Sequence, residues 1–306
     1  MLGKAIDLVT DRRNPVFLLP NYLRKKELKR ELAKVKIPSG TKVDVAITFD
    51  IEYDYGSAGK KEAKCVGPFL EKIGKTLGSK SPATFFVQGN LIGSHHKQLF
   101  ALQKKGHEIG LHGWAHEPWG TAWFIRERTP SLKEREELLK KSLLEFEKYG
   151  LERPVSFRAP NMVISKDSFP LLEKYGFRID SSAPSYTGIP PLITRIGNII
   201  EMPVSANPVP AFSRKLSTSY AVLNMFNLTR RNFSLDNIVR FQLLEKQNPF
   251  LIFLAHSWEF SRNKKFQYCS EHNYKIINSM FDGASRSLQP IFSKLPGLIP
   301  SAFCSK

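Results

Sequence analysis

The run Gly106-His107-Glu108-Ile109-Gly110-Leu111-His112-Gly113-Trp114-Ala115-His116 sets His112 and His116 four residues apart, just after an apolar, strand-like stretch. Neutral imidazole is the commonest metal ligand in proteins. That spacing lets both rings reach one ion from the same face of a helical turn or tight loop. Taken alone, the pair reads equally well as two unrelated surface histidines, since the chain holds seven. A second cluster alters the balance. Thr48-Phe49-Asp50-Ile51-Glu52-Tyr53-Asp54 places Asp50, Glu52 and Asp54 at the end of another apolar run. Histidines with carboxylates, and no paired cysteines, are the donors of a catalytic divalent-metal site rather than of a closed structural zinc site.

The elements that must position these side chains alternate between strand and helix. Val43–Phe49 reads as a buried strand, Lys60–Leu77 has helical spacing, and Ala83–Val87 is β-rich. A helix over roughly Leu91–Lys105 leads into a third strand, His107–Leu111. Ser131–Tyr149 reads as a helix opened by a capping box, Ser131 with Glu134. Strand Val155–Arg158, helix Ser168–Tyr175, and strands Phe177–Asp180 and Asn198–Val204 follow. Helix Leu235–Lys246, the apolar strand Phe250–Ala255 and a closing helix Glu271–Leu288 complete the pattern. Strands alternating with helices predict an α/β fold, a parallel sheet with helices outside. The polar residues collect at the C-terminal strand ends: Asp50 and Glu52 on the first, His112 and His116 after the third. Arg158 follows the fourth, Asp180 the fifth and His256 the last. Active sites of (β/α) barrels are built on that face. The Pro-, Asn- and Ser-rich stretch Ser185–Ser234 is expected to form loops that shape access to it.

With 306 residues, 42% hydrophobic and 24% charged, the chain can bury one large core. The spacing divides it into a basic N-terminal extension (1–42), a barrel domain (43–290) and a short tail (291–306). Within the extension, Asn21–Lys36 is dense in Lys, Arg and Glu, with Leu23, Leu28, Leu32 and Val35 on an amphipathic helix. That helix either packs on the barrel or lies on an anionic membrane surface. No stretch approaches the length of a membrane span. Cys65, Cys269 and Cys304 are widely spaced and form neither a disulfide framework nor a CxxC motif. The acidic and basic residues near the start interrupt any leader-like pattern, so the expectation is a cytoplasmic protein, either free or at the inner face of the membrane. The net charge of +18 favours anionic partners or serves solubility. No signature of nucleic-acid binding accompanies it, so nucleic acid is not expected as a partner.

In order along the chain, Thr48-Phe49-Asp50-Ile51-Glu52, His112-Gly113-Trp114-Ala115-His116, Arg158-Ala159-Pro160, Asp180-Ser181-Ser182 and Leu254-Ala255-His256 resemble the motifs of the NodB-like polysaccharide deacetylases, a carbohydrate-esterase family. Ala83-Thr84-Phe85-Phe86 is also similar to the family. The resemblance runs from about Val43 to Leu288 and implies a distorted (β/α) barrel of the NodB type. Two positions depart from it. Ile51 stands where the family has a metal-binding Asp, as in Asp-x-Glu variants of the first motif, and Gly113 replaces a Ser or Thr. His256-Ser257-Trp258-Glu259 is similar to that same branch.

The resemblance implies a metal-dependent hydrolase that removes an N-acetyl group from an amino sugar in a polysaccharide or a lipid-linked glycan. Glu52, His112 and His116 would then hold a divalent ion, zinc first and cobalt or nickel next, with Asp54 in reserve for Glu52. Asp50 would be the general base and Arg158 its partner. His256 would protonate the departing amine, with Asp180 as the carboxylate beside it. Trp114, Trp119, Trp123 and Trp258 read either as a sugar-stacking wall or as core. The other readings are a deformylase or amidase acting on a small or lipid-linked substrate, and an inactive glycan-binding homologue.

Overall fold

The structure, a computed structural model, describes residues 27–54, 62–122, 125–183, 192–208, 222–225, 234–261, 270–281 and 285–286. The central strand is β1 (Asp44–Ile51), rich in the β-branched and aromatic residues that suit a pleated surface. It pairs in parallel with β2 (Thr84–Val87) on one side and β8 (Phe250–His256) on the other. The remaining strands are β3 (Glu108–Leu111), β4 (Ser156–Phe157), β5 (Ile179–Asp180), β6 (Thr194–Ile196), β7 (Ile199–Glu201) and β9 (Ser285–Arg286). Their order is β6-β7-β5-β4-β3-β2-β1-β8, with β9 also paired to β1. All these pairings are parallel except the β6–β7 hairpin. Between β7 and β8 the barrel is bridged through Ser205, whose N–H donates to Ile252 O (3.0 Å) and whose Oγ accepts from Ile252 N–H (2.9 Å). The result is the distorted (β/α) barrel of the NodB type.

The helices are α1 (27–32), α2 (Val66–Leu77), α3 (Ile92–Lys104), α4 (Leu132–Lys148), α5 (Ser168–Lys174), α6 (Leu235–Leu244) and α7 (Ser270–Phe281). The capping box of α4 is present: Ser131 Oγ accepts from Glu134 N–H, and the Glu134 carboxylate accepts from Ser131 N–H. Leu28 and Leu32 of α1 pack against Phe241 of α6, and Arg240 donates to the carbonyls of Leu32 and Val35. Leu28 and Leu32, the part of the apolar stripe that α1 carries, are therefore packed on the barrel, whereas Leu23 and the rest of 1–26 lie outside the described residues. No helix among the described residues is long and apolar enough to cross a membrane.

Strand alternation separates two layers. Ile47, Phe49 and Ile51 of β1 face outward and join Phe69, Leu70 and Ile73 of α2 in the main core. Ala46, Phe86, Ile179, Ile200, Met202 and Ile252 fill the barrel interior. The polar site lies on that interior side, at the C-terminal ends of the strands.

Two sequence expectations are corrected. The closing helix is described to Phe281, and Ser285–Arg286 pairs with β1 as a strand instead of continuing the helix to Leu288. The strand expected over Asn198–Val204 is shorter and belongs to a hairpin. Gly197, at φ 62°, takes the left-handed turn that only glycine adopts cheaply.

Candidate active site

Residues of β1 and β8 and of the loops after β3 and β4 converge on a cleft of about 820 Å³. β1 carries Asp50 at its end and Glu52 just beyond, both buried. After β3 the chain turns at Gly113 (φ 68°), where a Cβ would lie 2.9 Å from Glu117 Oε1. At that φ a Ser or Thr is strained and its Cβ would press on Glu117, which accounts for the glycine between the histidines. Glu117 then fastens the loop, accepting from the backbone N–H of Trp114 (2.9 Å) and Ala115 (2.8 Å) and from Trp119 Nε1 (3.0 Å). His116 is held at φ 66°, an uncommon conformation for a non-glycine residue. Backbone strain of that kind persists where surrounding contacts enforce it, and it clusters at functional sites.

The loop brings both imidazoles onto Glu52. His112 Nε2 lies 3.4 Å and His116 Nε2 3.0 Å from Glu52 Oε2. Among the described residues, Glu52, His112 and His116 form a group able to hold one metal ion. His112 Nδ1 donates to Arg158 O at 2.8 Å, which fixes the ring and leaves Nε2 for a ligand. Trp258 Nε1 donates to Glu52 Oε1 at 2.9 Å. Burial pushes Glu52 up, but the His112 and His116 contacts and the His256 charge outweigh it and hold the carboxyl well below its usual range. Burial lowers His112, and Asp50 and Glu52 more than offset it, so its pKa is raised. These donors fit a divalent ion: two imidazole nitrogens and one ionised carboxylate, already converging.

Asp54 does not join them. Its carboxylate caps the start of α2, accepting from the N–H groups of Lys64 (2.9 Å) and Cys65 (3.3 Å).

Asp50 pairs with Arg158, Nη1 to Oδ1 at 2.8 Å. The guanidinium is fully buried over the Phe86 ring, 4.3 Å from its centroid. It also donates to Thr48 Oγ1, Ser181 O and Ser181 Oγ. The other oxygen, Asp50 Oδ2, lies 3.9 Å from both His112 Nε2 and His256 Nε2. One carboxylate thus touches its cation on one side and faces two imidazoles on the other.

The carboxylate beside His256 is Glu259, not Asp180. His256 Nδ1 donates to Glu259 Oε1 at 2.8 Å, one 3₁₀ turn further along the chain. Burial lowers the His256 pKa, but Glu259, Glu52 and Asp50 raise it to about 9. Asp180 is excluded by strand parity. It pairs in register with Phe157 and Glu201, whereas Ile179 beside it faces the interior. It receives Ser182 Oγ–H at 2.7 Å, and Ser182 Oγ accepts from Ala159 N–H, so Asp180 braces the Arg158-Ala159-Pro160 turn. Burial raises both Asp180 and its neighbour Glu201, and Asp180's charge drives Glu201 higher still.

Of the tryptophans, Trp119 is fully buried against Phe157 and belongs to the core. Trp258 stacks on His256, centroids 4.7 Å apart, and lines the cleft. Trp114 lies under Lys141 Nζ, and Trp123 falls outside the described residues. Val222 and Asn224, from the long segment before α6, also line the cleft, and Asn224 forms a bridge to Leu254. Sequence reasoning missed Glu117, Glu201 and the role of Glu259. Only Glu259 carried a usable signal, the His-x-x-Glu spacing.

Residues 38–179 match the polysaccharide deacetylase family model. Over that segment, just under half of its length, the chain is similar to the polysaccharide deacetylases. A peptidoglycan deacetylase-like protein of Gibberella zeae is 27% identical over 154 residues, 46% of this chain and 43% of that protein. The peptidoglycan deacetylase of Helicobacter pylori is 29% identical over 117 residues, 38% of this chain and 37% of that one. The matched segment spans less than half the length of these curated relatives. A solved Mycobacterium smegmatis structure assigned to the polysaccharide deacetylases superposes with a TM-score of 0.50 at 18% identity, covering 85% of this chain and 92% of the other. That likeness speaks to the fold alone.

Proposed function

We propose that this chain is a metal-dependent hydrolase that removes the N-acetyl group from an amino sugar in a glycan, releasing acetate and leaving a free amine. One observation carries the reading: Glu52, His112 and His116 converge beside an Asp50–Arg158 pair and a His256–Glu259 pair, all at one end of the barrel. A divalent ion held by the first three, zinc before cobalt or nickel, would polarise the amide carbonyl and acidify water. Asp50 takes the proton of the attacking water, with Oδ2 turned to the site and Oδ1 held by Arg158. Arg158 keeps that carboxylate charged and aimed. His256, protonated through Glu259, gives its proton to the departing nitrogen. Trp258 supplies an apolar face beside that proton, suited to a sugar ring.

The test is acetate release from N-acetylated glycans, peptidoglycan fragments and lipid-linked sugars among them, by metal-stripped protein with zinc, cobalt or nickel restored. Acetate that depends on the ion supports the reading. Formate from a formamido sugar would move the substrate class, and tight glycan binding with neither product would mark a binding protein.

A further inference from the structure

Gln88 follows the last residue of β2, and its position is unusual. Its N–H donates to Ile51 O, and Val87 O accepts from His112 N–H, so the ladder runs past the strand ends on both sides. The pairs Asp50–Phe86 and Phe86–Gly110 are in register. Two residues further on, Glu52, Gln88 and His112 lie side by side. Phe86 faces the interior, beneath the Arg158 guanidinium, and Gly89 faces Ser142 of α4. Alternation therefore turns Gln88 to the same side as Glu52 and His112. β2 lies between β1 and β3, so the 3.4 Å contact of Glu52 with His112 passes over the end of β2, above Gln88.

The Gln88 side chain is fully buried, and among the described residues neither its Oε1 nor its Nε2 has a hydrogen-bond partner. Leaving a buried amide unpaired is costly, whereas an apolar side chain of similar shape would cost nothing. In the ion-free arrangement Glu52 accepts from the histidine Nε2 atoms and from Trp258. Once those nitrogens present lone pairs to an ion they no longer donate, and Glu52 loses both bonds. The Gln88 amide, buried and without a hydrogen-bond partner among the described residues, is a donor that strand alternation turns to that face.

We propose that Gln88 is a positioning residue of the metal site, whose carboxamide donates to Glu52 when Glu52, His112 and His116 hold a divalent ion. The proposal rests on the metal reading above. Loss of such an outer partner typically lowers metal affinity by about 10- to 100-fold. The experiment measures the zinc dissociation constant by chelator competition for the parent, Gln88→Leu and Gln88→Met, together with the Tm of each metal-free protein. Expected are a 10- to 100-fold weaker dissociation constant for both variants and a metal-free Tm equal to or above the parent's, because an unpaired amide has been replaced by carbon. Zinc affinity within twofold of the parent in either variant overturns the proposal. So does a lower metal-free Tm or failure to fold in both, since the amide would then have a structural partner. A parent that binds no divalent ion sinks the metal reading itself, which this design separates from failure of the Gln88 role.

Discussion

The two sides of β1 make opposite use of one strand. Ile47, Phe49 and Ile51 face outward and are fully buried against aromatic and aliphatic neighbours, Phe49 within 5.3 Å of Phe69 and 5.1 Å of Phe85, ring to ring. Thr48, Asp50 and Glu52 face inward and are almost as deeply buried, yet each is polar and each is bonded. The outer side stabilises the fold by burial. The inner side costs desolvation and recovers it through partners, to which the proposed ion would add one from outside. Depth is the same on both sides, so burial alone does not separate core from site; what separates them is whether the buried groups need one another.

That contrast can be broken on either side. Phe49→Ala empties part of the outer core and should cost about 3–5 kcal/mol of stability, read as a fall in the denaturant midpoint. Zinc affinity of the folded fraction should stay near the parent value, and a large loss would mean that the two sides are coupled. Asp50→Asn acts on the inner side. It should lower turnover roughly 10²–10⁴-fold while zinc remains bound and Tm moves less than in Phe49→Ala. Lost zinc would make Asp50 a ligand.

Glu259→Gln sharpens the comparison by removing one partner and leaving the shape. His256 must be protonated to serve as the acid, so activity is lost as pH rises through its pKa. Glu259 helps hold that pKa up at about 9, above the ordinary value near 6.5. The neutral amide lowers it, and the basic limb of the pH–rate profile should move to lower pH. Asp180→Asn should leave that limb in place. An unmoved limb in active Glu259→Gln would remove Glu259 from the proton path. The smallest effect lies far from both sides: Ser131→Ala should cost about 0.5–2 kcal/mol through the lost cap of α4, visible as a Tm shift with no change in turnover.

The strands with unbroken apolar runs were legible from sequence, as were the capping box at Ser131 and the convergence of Asp50, Glu52, His112, His116, Arg158 and His256. Strand parity on short strands was not. β5 is two residues long, too short for alternation to show, so Asp180 read as the site residue although Ser181 is the one that meets Arg158. Glu259 was visible as a spacing but looked no different from a surface acid until the 3₁₀ turn folded it back on His256. Gln88 lay hidden at the end of an apolar run, because an unpaired amide announces itself only in three dimensions. The closing helix was overrun because β9 is too short to compete with a helical pattern by composition.

The burial of Arg158 also sets what dissolved salt can reach. Screening by ions acts through solvent, over roughly 8–10 Å in moderate salt. A surface charge surplus of the kind a net +18 implies loses its long-range pull on an anionic glycan as salt rises. The guanidinium resting on Phe86 and clasping Asp50 sits where no counter-ion can gather. On the proposed reading, capture of a glycan and the aim of Asp50 answer to salt independently, and concentrated salt would slow arrival while leaving Asp50 as well directed as before.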